Sequence, residues 1–233
     1  MFDLNLAEIA YTVSVWTLPV LLAVTFHEAA HGFVAWRLGD PTAKMLGRVT
    51  FNPFRHIDAF GTVLLPALML LASGGRFMFG FAKPVPVNFG RLGSPRRDMV
   101  LVAAAGPGAN LILAVASALL LHTVSFMPAD FGEWTARNLV NSVSVNLILA
   151  VFNLLPMPPL DGGRIAVGLL PDFLAVPLAR LERVGILIIL AAVFLLPLIG
   201  EQVGLDLNVF AWLVGVPVSE LMKILFAAVG LTV

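Results

Sequence analysis

Cysteine is absent from the 233-residue chain, and charged residues are scarce, at 12% of the sequence. Without cysteine the protein has no disulfide and no thiolate ligand for a metal. A soluble domain carries about twice this fraction of charge. The formal net charge is zero, so nothing in the composition indicates a nucleic-acid partner. What is present is apolar: 59% of the residues are hydrophobic, and the mean hydropathy is +0.96.

Long apolar runs without charge recur at residues 9–26, 99–129, 138–160 and 184–200. Each is close to or beyond the roughly 20 residues that a helix needs to cross a bilayer. The little polar sequence that is left is too short to cover four such helices in water. We therefore predict an all-α polytopic membrane protein with about five to six transmembrane helices.

The predicted organisation is one integral-membrane domain over residues 1–233. Its core motifs fall within about 20–170, and additional C-terminal helices occupy 183–231. The first apolar run lacks a preceding positive region, so we expect it to stay in the membrane rather than be cleaved as a signal.

Basic residues are sorted along the chain. Twelve of the 14 lysines and arginines fall in three segments, 37–58, 75–98 and 161–183, whereas the other connections are mostly acidic. The positive-inside rule predicts that these three segments are cytoplasmic. We expect a multi-pass protein of a bacterial cell (inner) membrane whose active site faces the cytoplasm.

The region near 57–90 does not fit a simple crossing. The apolar piece 57–73 lies between two basic segments and carries Pro66 at its middle, which suits a re-entrant element buried against protein. The alternative is a crossing at 57–73 with the following residues returning as an extended hairpin. Residues 79–90 alternate apolar and other residues around two prolines, which is typical of a short extended edge. For 207–231 we favour a final crossing over an interfacial hairpin.

The strongest motif is His27-Glu28-Ala-Ala-His31. Residues i and i+4 lie on one face of a helix, so both imidazoles can bind one metal ion. Glu28 can then act as general base on a water molecule at the metal. Such a motif also occurs by chance on exposed helices, but this one follows eighteen uncharged residues. Ionisable groups at membrane depth are costly and mark functional sites. Counting back from Arg37, the site lies about 9–15 Å below the cytoplasmic surface.

Two histidines leave a zinc ion in need of a third protein ligand and an open position for water. Asp161 is the candidate, in the segment Asn153–Arg164, where three prolines break the helix before it and two glycines free the backbone after it. Charge sorting places Asp161 on the same side of the membrane as His31. The alternative is an aspartate that caps a helix at the membrane surface.

Together these motifs resemble the site-2 protease family of intramembrane zinc metalloproteases. In that family, HExxH on one helix meets an N-x-x-P-x-P-x-L-D-G segment on a later one, and both stand here. The resemblance implies one zinc ion on His27, His31 and Asp161, with Asn153 binding the scissile carbonyl or its oxyanion. A helix–helix hydrogen bond is the alternative for Asn153. No PDZ-like or CBS-like domain is recognised, so we expect a minimal core member.

Two further segments match the family. Gly106-Pro-Gly-Ala-Asn110 resembles its G-P-x-x-N motif, for which we favour helix packing over direct chemistry. The hairpin 79–90 resembles a membrane-associated β-element. This likeness implies that a substrate is clamped there as an added strand; the candidate substrate-binding residues are Pro84, Val85, Pro86, Val87 and Asn88.

The implied function is hydrolysis of peptide bonds in or near the transmembrane segments of other membrane proteins. The implied partners are a membrane-protein substrate and the lipid bilayer. Alternatives are a membrane cation transporter and a non-catalytic binder of transmembrane helices. We interpret His56 and Asp58 as a surface pair, with contact to substrate as the alternative, and we assign His122 no role.

Overall fold

The fold is that of a computed structural model, which describes residues 6–65, 68, 80 and 82–231. The helices in these ranges are α1 (Leu6–Arg37), α2 (Thr42–Met45), α3 (Pro95–Leu120), α4 (Ala129–Asn153), α5 (Asp161–Leu169), α6 (Asp172–Arg180), α7 (Gly185–Val203) and α8 (Ala211–Ala228). Within α7 and α8, Ala191–Leu195 and Ala211–Gly215 are π-helical. A short π-helix spans Ala59–Leu64, and single turns of 3₁₀-helix span Pro53–Arg55 and Phe89–Arg91. No strand occurs among the described residues, which confirms the predicted all-α class.

Five helices are long and apolar enough to cross a membrane: α1, α3 with its extension to Phe126, α4, α7 and α8. This number agrees with the predicted five to six. The last of them, α8, is a single helix of 18 residues, so the C-terminal segment has the length that the favoured crossing requires.

Large apolar side chains cover the outside of these helices. Ile112 on α3, Leu187 on α7 and Ile224 on α8 are 72%, 64% and 63% exposed. Exposed apolar patches of this extent are rare on soluble monomers but are the expected surface of a helix in lipid. The protein is therefore a helical membrane protein.

Small residues form much of the interior. α1, α3 and α4 pack against one another, and α5 packs on α3. Ala114 and Ala118 of α3 are fully buried against Val143 and Leu147 of α4, and α8 closes this cluster from the other side. Small side chains let helices approach closely, which is the main source of packing energy in a membrane.

The chain breaks between α4 and α5, as the prolines predict. α4 ends at Asn153, and Asp161 is the first residue of α5, with its side chain buried. The following glycines serve a different purpose from the one expected, because neither has a positive φ. A Cβ on Gly162 would lie 2.1 Å from the carbonyl oxygen of Leu154, and one on Gly163 would lie 2.2 Å from the nitrogen of Pro158. They are needed for space, since α5 packs directly on the turn that precedes it.

The predicted β-hairpin near 79–90 is not present in the part of it that the structure describes, residue 80 and residues 82–90. Pro84 and Pro86 have no N–H to donate to a partner strand. The N–H groups of Lys83, Val85 and Asn88 donate instead to the carbonyl of His56 and to the carboxylates of two residues of the α1 region. The choice between a re-entrant and a crossing element at 57–73 depends on residues 66, 67 and 69–73, which lie outside the described ranges.

Replacement of Gly162 by alanine is expected to destabilise the protein by about 1–3 kcal/mol or more, because the new methyl group overlaps backbone atoms that have no room to move. Thermal unfolding in detergent would measure this loss. Gly108→Ala is the matched control, since a Cβ there meets nothing within 4 Å. Equal melting temperatures for the two variants would contradict the packing of α5 on the turn.

Candidate metal and catalytic site

His27, His31 and Asp161 meet in the interior of the bundle. The Nε2 atoms of His27 and His31 lie 3.1 Å apart, and each lies 3.3 Å from Oδ2 of Asp161. The two histidines are one turn apart on α1, and the proline break after α4 delivers the aspartate to them. All three residues are buried. The structure thus brings together the three side chains that the sequence singled out as ligands.

Hydrogen bonds on the far side of each ring determine which nitrogen carries the proton. Nδ1 of His31 lies 2.7 Å from the carbonyl oxygen of Val102, which can only accept, so Nδ1 must donate. Nδ1 of His27 lies 2.6 Å from Oδ1 of Asn110, whose own amide N–H groups are directed elsewhere. In the neutral rings both Nε2 atoms therefore present lone pairs to one another and to the carboxylate.

This cluster fits a zinc ion. Three ligands at tetrahedral zinc, with bonds of about 2.0–2.2 Å, lie about 3.3 Å from one another, as these three atoms do. With both rings neutral and protonated on Nδ1, the buried Oδ2 of Asp161 accepts no hydrogen bond from the described residues. A carboxylate beside two lone pairs is unfavourable unless a cation or a proton lies between them. In the described part of the chain, this trio is the one group of such side chains close enough to hold a metal.

Gly106 of α3 makes room for the cluster. A Cβ there would lie 2.4 Å from Nε2 of His31 and 2.6 Å from Cε1 of His27. The G-P-x-x-N motif thus acts through packing, as predicted, but its asparagine does more than pack, because Asn110 holds the imidazole of His27.

A chain of buried amides and hydroxyls supports Asn110. Its Nδ2 donates to the carbonyl of Ala23 at 3.1 Å and to Oδ1 of Asn146 at 2.8 Å. Asn146 in turn donates to the carbonyl of Ser142, 2.8 Å away. Asn110 and Asn146 are both fully buried. Nothing in the sequence signalled that a bond at Asn146 leads to a candidate ligand.

Glu28 points into the same cavity from the next position of α1. Its Oε2 accepts a 2.8 Å hydrogen bond from the N–H of Val85. The cavity has a volume of about 370 Å³. It is lined by the three ligand candidates, Glu28 and Asn153, and by Pro84, Val85 and Val87 among the predicted substrate-binding residues. Pro86 and Asn88 do not line it.

Asn153 stands at the end of α4 with its amide in the cavity. One N–H of Nδ2 donates to the carbonyl of Leu149 in its own helix, at 2.9 Å. Among the described residues Asn153 makes no hydrogen bond between helices, which was the alternative considered from the sequence, and its second N–H has no acceptor.

Asp40 anchors residues 82–88 to the end of α1, a role that the sequence did not suggest. Its buried carboxylate accepts from the N–H of Asn88 at 2.6 Å and from both the N–H and the hydroxyl of Thr42. Burial acts to raise the pKa of Asp40, but these hydrogen bonds outweigh it and hold the pKa below its ordinary value. The only signal in the sequence was a charged residue just after a membrane helix.

The predicted surface pair of His56 and Asp58 is wrong. His56 is 2% exposed, and its Nε2 lies 3.0 Å from the carbonyl oxygen of Thr50. Asp58 instead caps the following π-helix by accepting from the N–H groups of Phe60 and Gly61. The main-chain bonds of this turn direct the two side chains to different partners.

A helical membrane protein with two histidines and one carboxylate around a cation-sized space is a candidate metalloprotein by class. The model of peptidase family M50 matches residues 15–135 and 127–197. The chain belongs to this family, the site-2 protease family, as the motifs predicted.

Curated relatives carry names of the same kind. The chain is 40% identical to the "Putative zinc metalloprotease YwhC" of Bacillus subtilis, over 78% of this chain and 80% of that protein. It is 35% identical to the "Putative zinc metalloprotease Rip2" of Mycolicibacterium smegmatis and to that of Mycobacterium tuberculosis, over 61% of this chain and 52% of each relative. No solved structure matches the chain. These names support a zinc metalloprotease.

Asn110→Ala is expected to lower the affinity for zinc about 10- to 100-fold, because the group that orients a ligating histidine is lost. Competition with a chelator on the purified protein would measure the change. Asn141→Ala is the control, since Asn141 donates to the carbonyl of Val15 across the same helices but away from the site. If both variants held zinc equally well, Asn110 would have no part in positioning His27.

Asp40→Asn is expected to lower the free energy of unfolding at pH 7 by about 1–3 kcal/mol, the size of hydrogen bonds to a charged group. The folded pKa is lowered, so this stabilisation is present above the unfolded pKa of about 3.9 and is lost as the pH falls through the folded pKa. The difference in melting temperature between the two proteins should therefore stay constant from pH 7 to about pH 4 and shrink as the pH falls further. A constant difference down to pH 3 would contradict this role of the carboxylate.

Proposed function

We propose that the protein is an intramembrane zinc endopeptidase that cleaves peptide bonds in or near the transmembrane segments of other membrane proteins. The observation that carries the proposal is that three ligand atoms converge at about 3.3 Å in a cavity that also contains Glu28. His27, His31 and Asp161 are the proposed ligands of one zinc ion. A zinc ion there would polarise the substrate carbonyl and activate a water molecule for attack on it.

The residues of the chain supply the remaining chemistry. Glu28 takes a proton from the attacking water and later returns it to the nitrogen of the amine that leaves as the C–N bond breaks. The free N–H of Asn153 donates to the oxygen on which negative charge develops. Both side chains line the cavity of the proposed ligands, and we propose that one bound peptide bond contacts both of them.

The hydrogen bond between Val85 and Glu28 supports a role of residues 84–88 in substrate binding. An extended substrate laid along this segment would take over the N–H of Val85 and leave the carboxylate of Glu28 free for the water. The substrate would then be added to the edge of this segment through main-chain hydrogen bonds, although the segment has no partner strand of its own among the described residues. The proposed substrate is an unwound stretch of a membrane helix, whose main-chain groups need such partners in an apolar solvent.

The proposed location is a bacterial inner membrane with the site open to the cytoplasm. The support comes from charge sorting. The basic segment 37–58 follows the part of the chain that contains His27 and His31, and the basic segment 161–183 begins at Asp161. The proposed partners are a membrane-protein substrate and the lipid itself.

Glu28→Gln separates catalysis from metal binding. We expect this variant to retain zinc but to cleave at least about 10²- to 10⁴-fold more slowly, because the general base is gone while the ligands remain. The substrate would be synthetic peptides of about 20 apolar residues, built from leucine and alanine with a central glycine pair, in detergent micelles. Mass spectrometry of the products gives rate and position, and elemental analysis gives zinc.

Asp161→Ala completes the test of the ligand set. We expect it to lose both zinc and cleavage, whereas Glu28→Gln loses cleavage alone. Zinc content equal to that of the unchanged protein would disprove the third-ligand assignment. Zinc-dependent cation flux in vesicles without any peptide cleavage would favour the transporter, and peptide binding without cleavage would favour the non-catalytic binder.

A further inference from the structure

A second cavity lies beside the proposed catalytic one. Its volume is about 270 Å³, and it is bounded on one side by Val20, Leu21, Val24 and Thr25 of α1. His56 lines it from the opposite side. Ala82 lines both cavities, so the two spaces adjoin at the start of the segment that carries Val85.

The position of this cavity along α1 relates it to the scissile bond. Thr25 precedes His27 by two residues and Val20 precedes it by seven, which is about 3–10 Å along the helix axis. An extended peptide advances about 3.3 Å per residue. A substrate whose scissile bond lies at His27 would therefore place a residue one to three positions away beside the second cavity.

The walls of the cavity are uncharged and mostly apolar. No lysine, arginine, aspartate or glutamate is among the described residues that line it. Cavities that enclose drug-sized ligands are about 300–1,000 Å³, so this one is closer in size to a single large side chain. An aliphatic or aromatic side chain fits both its size and its chemistry.

His56 adds one polar feature to this surface. Nε2 donates to the carbonyl of Thr50, so Nδ1 of the neutral ring carries a lone pair. That atom is buried and has no hydrogen-bond partner among the described residues. A buried acceptor without a donor is unfavourable, and either a water molecule or the N–H of a ligand can supply the donor.

We propose that this cavity is a specificity subsite, which takes an apolar side chain of the substrate within three residues of the scissile bond. His56 Nδ1 accepts a hydrogen bond from a main-chain N–H of the same unwound stretch. The proposal rests on the proposed protease function. The reason for the hydrogen bond is that an unwound helix in lipid has freed N–H groups. These groups require acceptors that lipid does not provide.

The subsite is joined to the rest of the substrate groove. The carbonyl of His56 accepts from the N–H of Lys83 at 2.9 Å, and Arg48 donates to the carbonyl of Lys83. His56 and the segment 82–88 are thus fixed relative to each other. A peptide aligned along that segment has a defined offset from the cavity, which is what a subsite requires.

Filling the cavity tests the proposal. The peptides described above would be varied between alanine and leucine at each of the three positions on either side of the cleaved bond. We expect the unchanged protein to prefer leucine at one position. Val24→Phe should reduce that leucine-to-alanine ratio of kcat/KM about 10- to 200-fold, the range for discrimination by an apolar pocket. Leu22→Phe is the control, because Leu22 lies on the same helix but is 41% exposed and does not line the cavity.

Leu21→Phe fills the same cavity from a neighbouring position and decides the question if Val24→Phe fails to retain zinc and fold. An unchanged leucine preference in a folded, zinc-bound variant of either kind would overturn the subsite. A protein that cleaves no peptide at all would instead contradict the proposed function.

Binding measurements test the subsite even if the protein cleaves no peptide. In the Glu28→Gln background, fluorescence anisotropy of a labelled leucine peptide should show weaker binding with Val24→Phe and unchanged binding with Leu22→Phe. Equal affinities for the two would also overturn the subsite, whatever the outcome for cleavage.

The acceptor role of His56 has its own pair of variants. His56→Gln can keep the bond to Thr50 but lacks an acceptor at the Nδ1 position, whereas His56→Asn keeps such an acceptor. We expect His56→Gln to raise KM about tenfold, as for one lost hydrogen bond, with kcat changed less, and His56→Asn to restore much of the loss. Equal KM values for both variants and the unchanged protein would refute the hydrogen bond.

Discussion

The rest of the structure depends on the mutual approach of three atoms that carry lone pairs when the rings are neutral, the Nε2 atoms of His27 and His31 and Oδ2 of Asp161. At 3.1–3.3 Å these atoms repel one another unless a cation or a proton lies between them. The fold must therefore hold them in place, and it does so from behind each ring. The carbonyl of Val102 and the side chain of Asn110 keep the protons on Nδ1, so that the lone pairs face the common centre.

Close backbone approach is what makes this convergence possible in a membrane bundle. Gly106 lets α3 lie against the imidazoles, and Gly162 lets α5 lie on the turn that carries Asp161 inward. The polar groups behind the site are neutral amides and hydroxyls, each bonded to a partner on a neighbouring helix or in its own. Such groups are tolerated at membrane depth because they satisfy one another, whereas an unpaired charge there would be costly.

The segment 82–88 joins the site to the region in which we propose that a substrate lies. Its two prolines leave few N–H groups, and those of Lys83, Val85 and Asn88 are bonded to His56, Glu28 and Asp40. Glu28, the proposed general base, is therefore in direct contact with the segment along which we propose that a substrate lies. Because Lys83 is also fixed by Arg48, the catalytic cavity and the neighbouring apolar cavity share one wall of defined position.

The sequence by itself determined the solvent, the class and the candidate ligands. Charge-free runs imply membrane helices, the i and i+4 spacing puts His27 and His31 on one face, and the prolines before Asp161 predict a break. Each of these features is local in the sequence.

Only the tertiary structure decided what holds the candidate ligands and what surrounds them. Val102 acts through a carbonyl that every residue has, and Asp40 and His56 act on residues more than 25 positions away. The sequence predicted a surface position for His56 and a strand near residue 85. In the structure His56 is buried, and the segment around residue 85 is anchored by partners that are distant in the sequence. Local patterns contain no information on such partners.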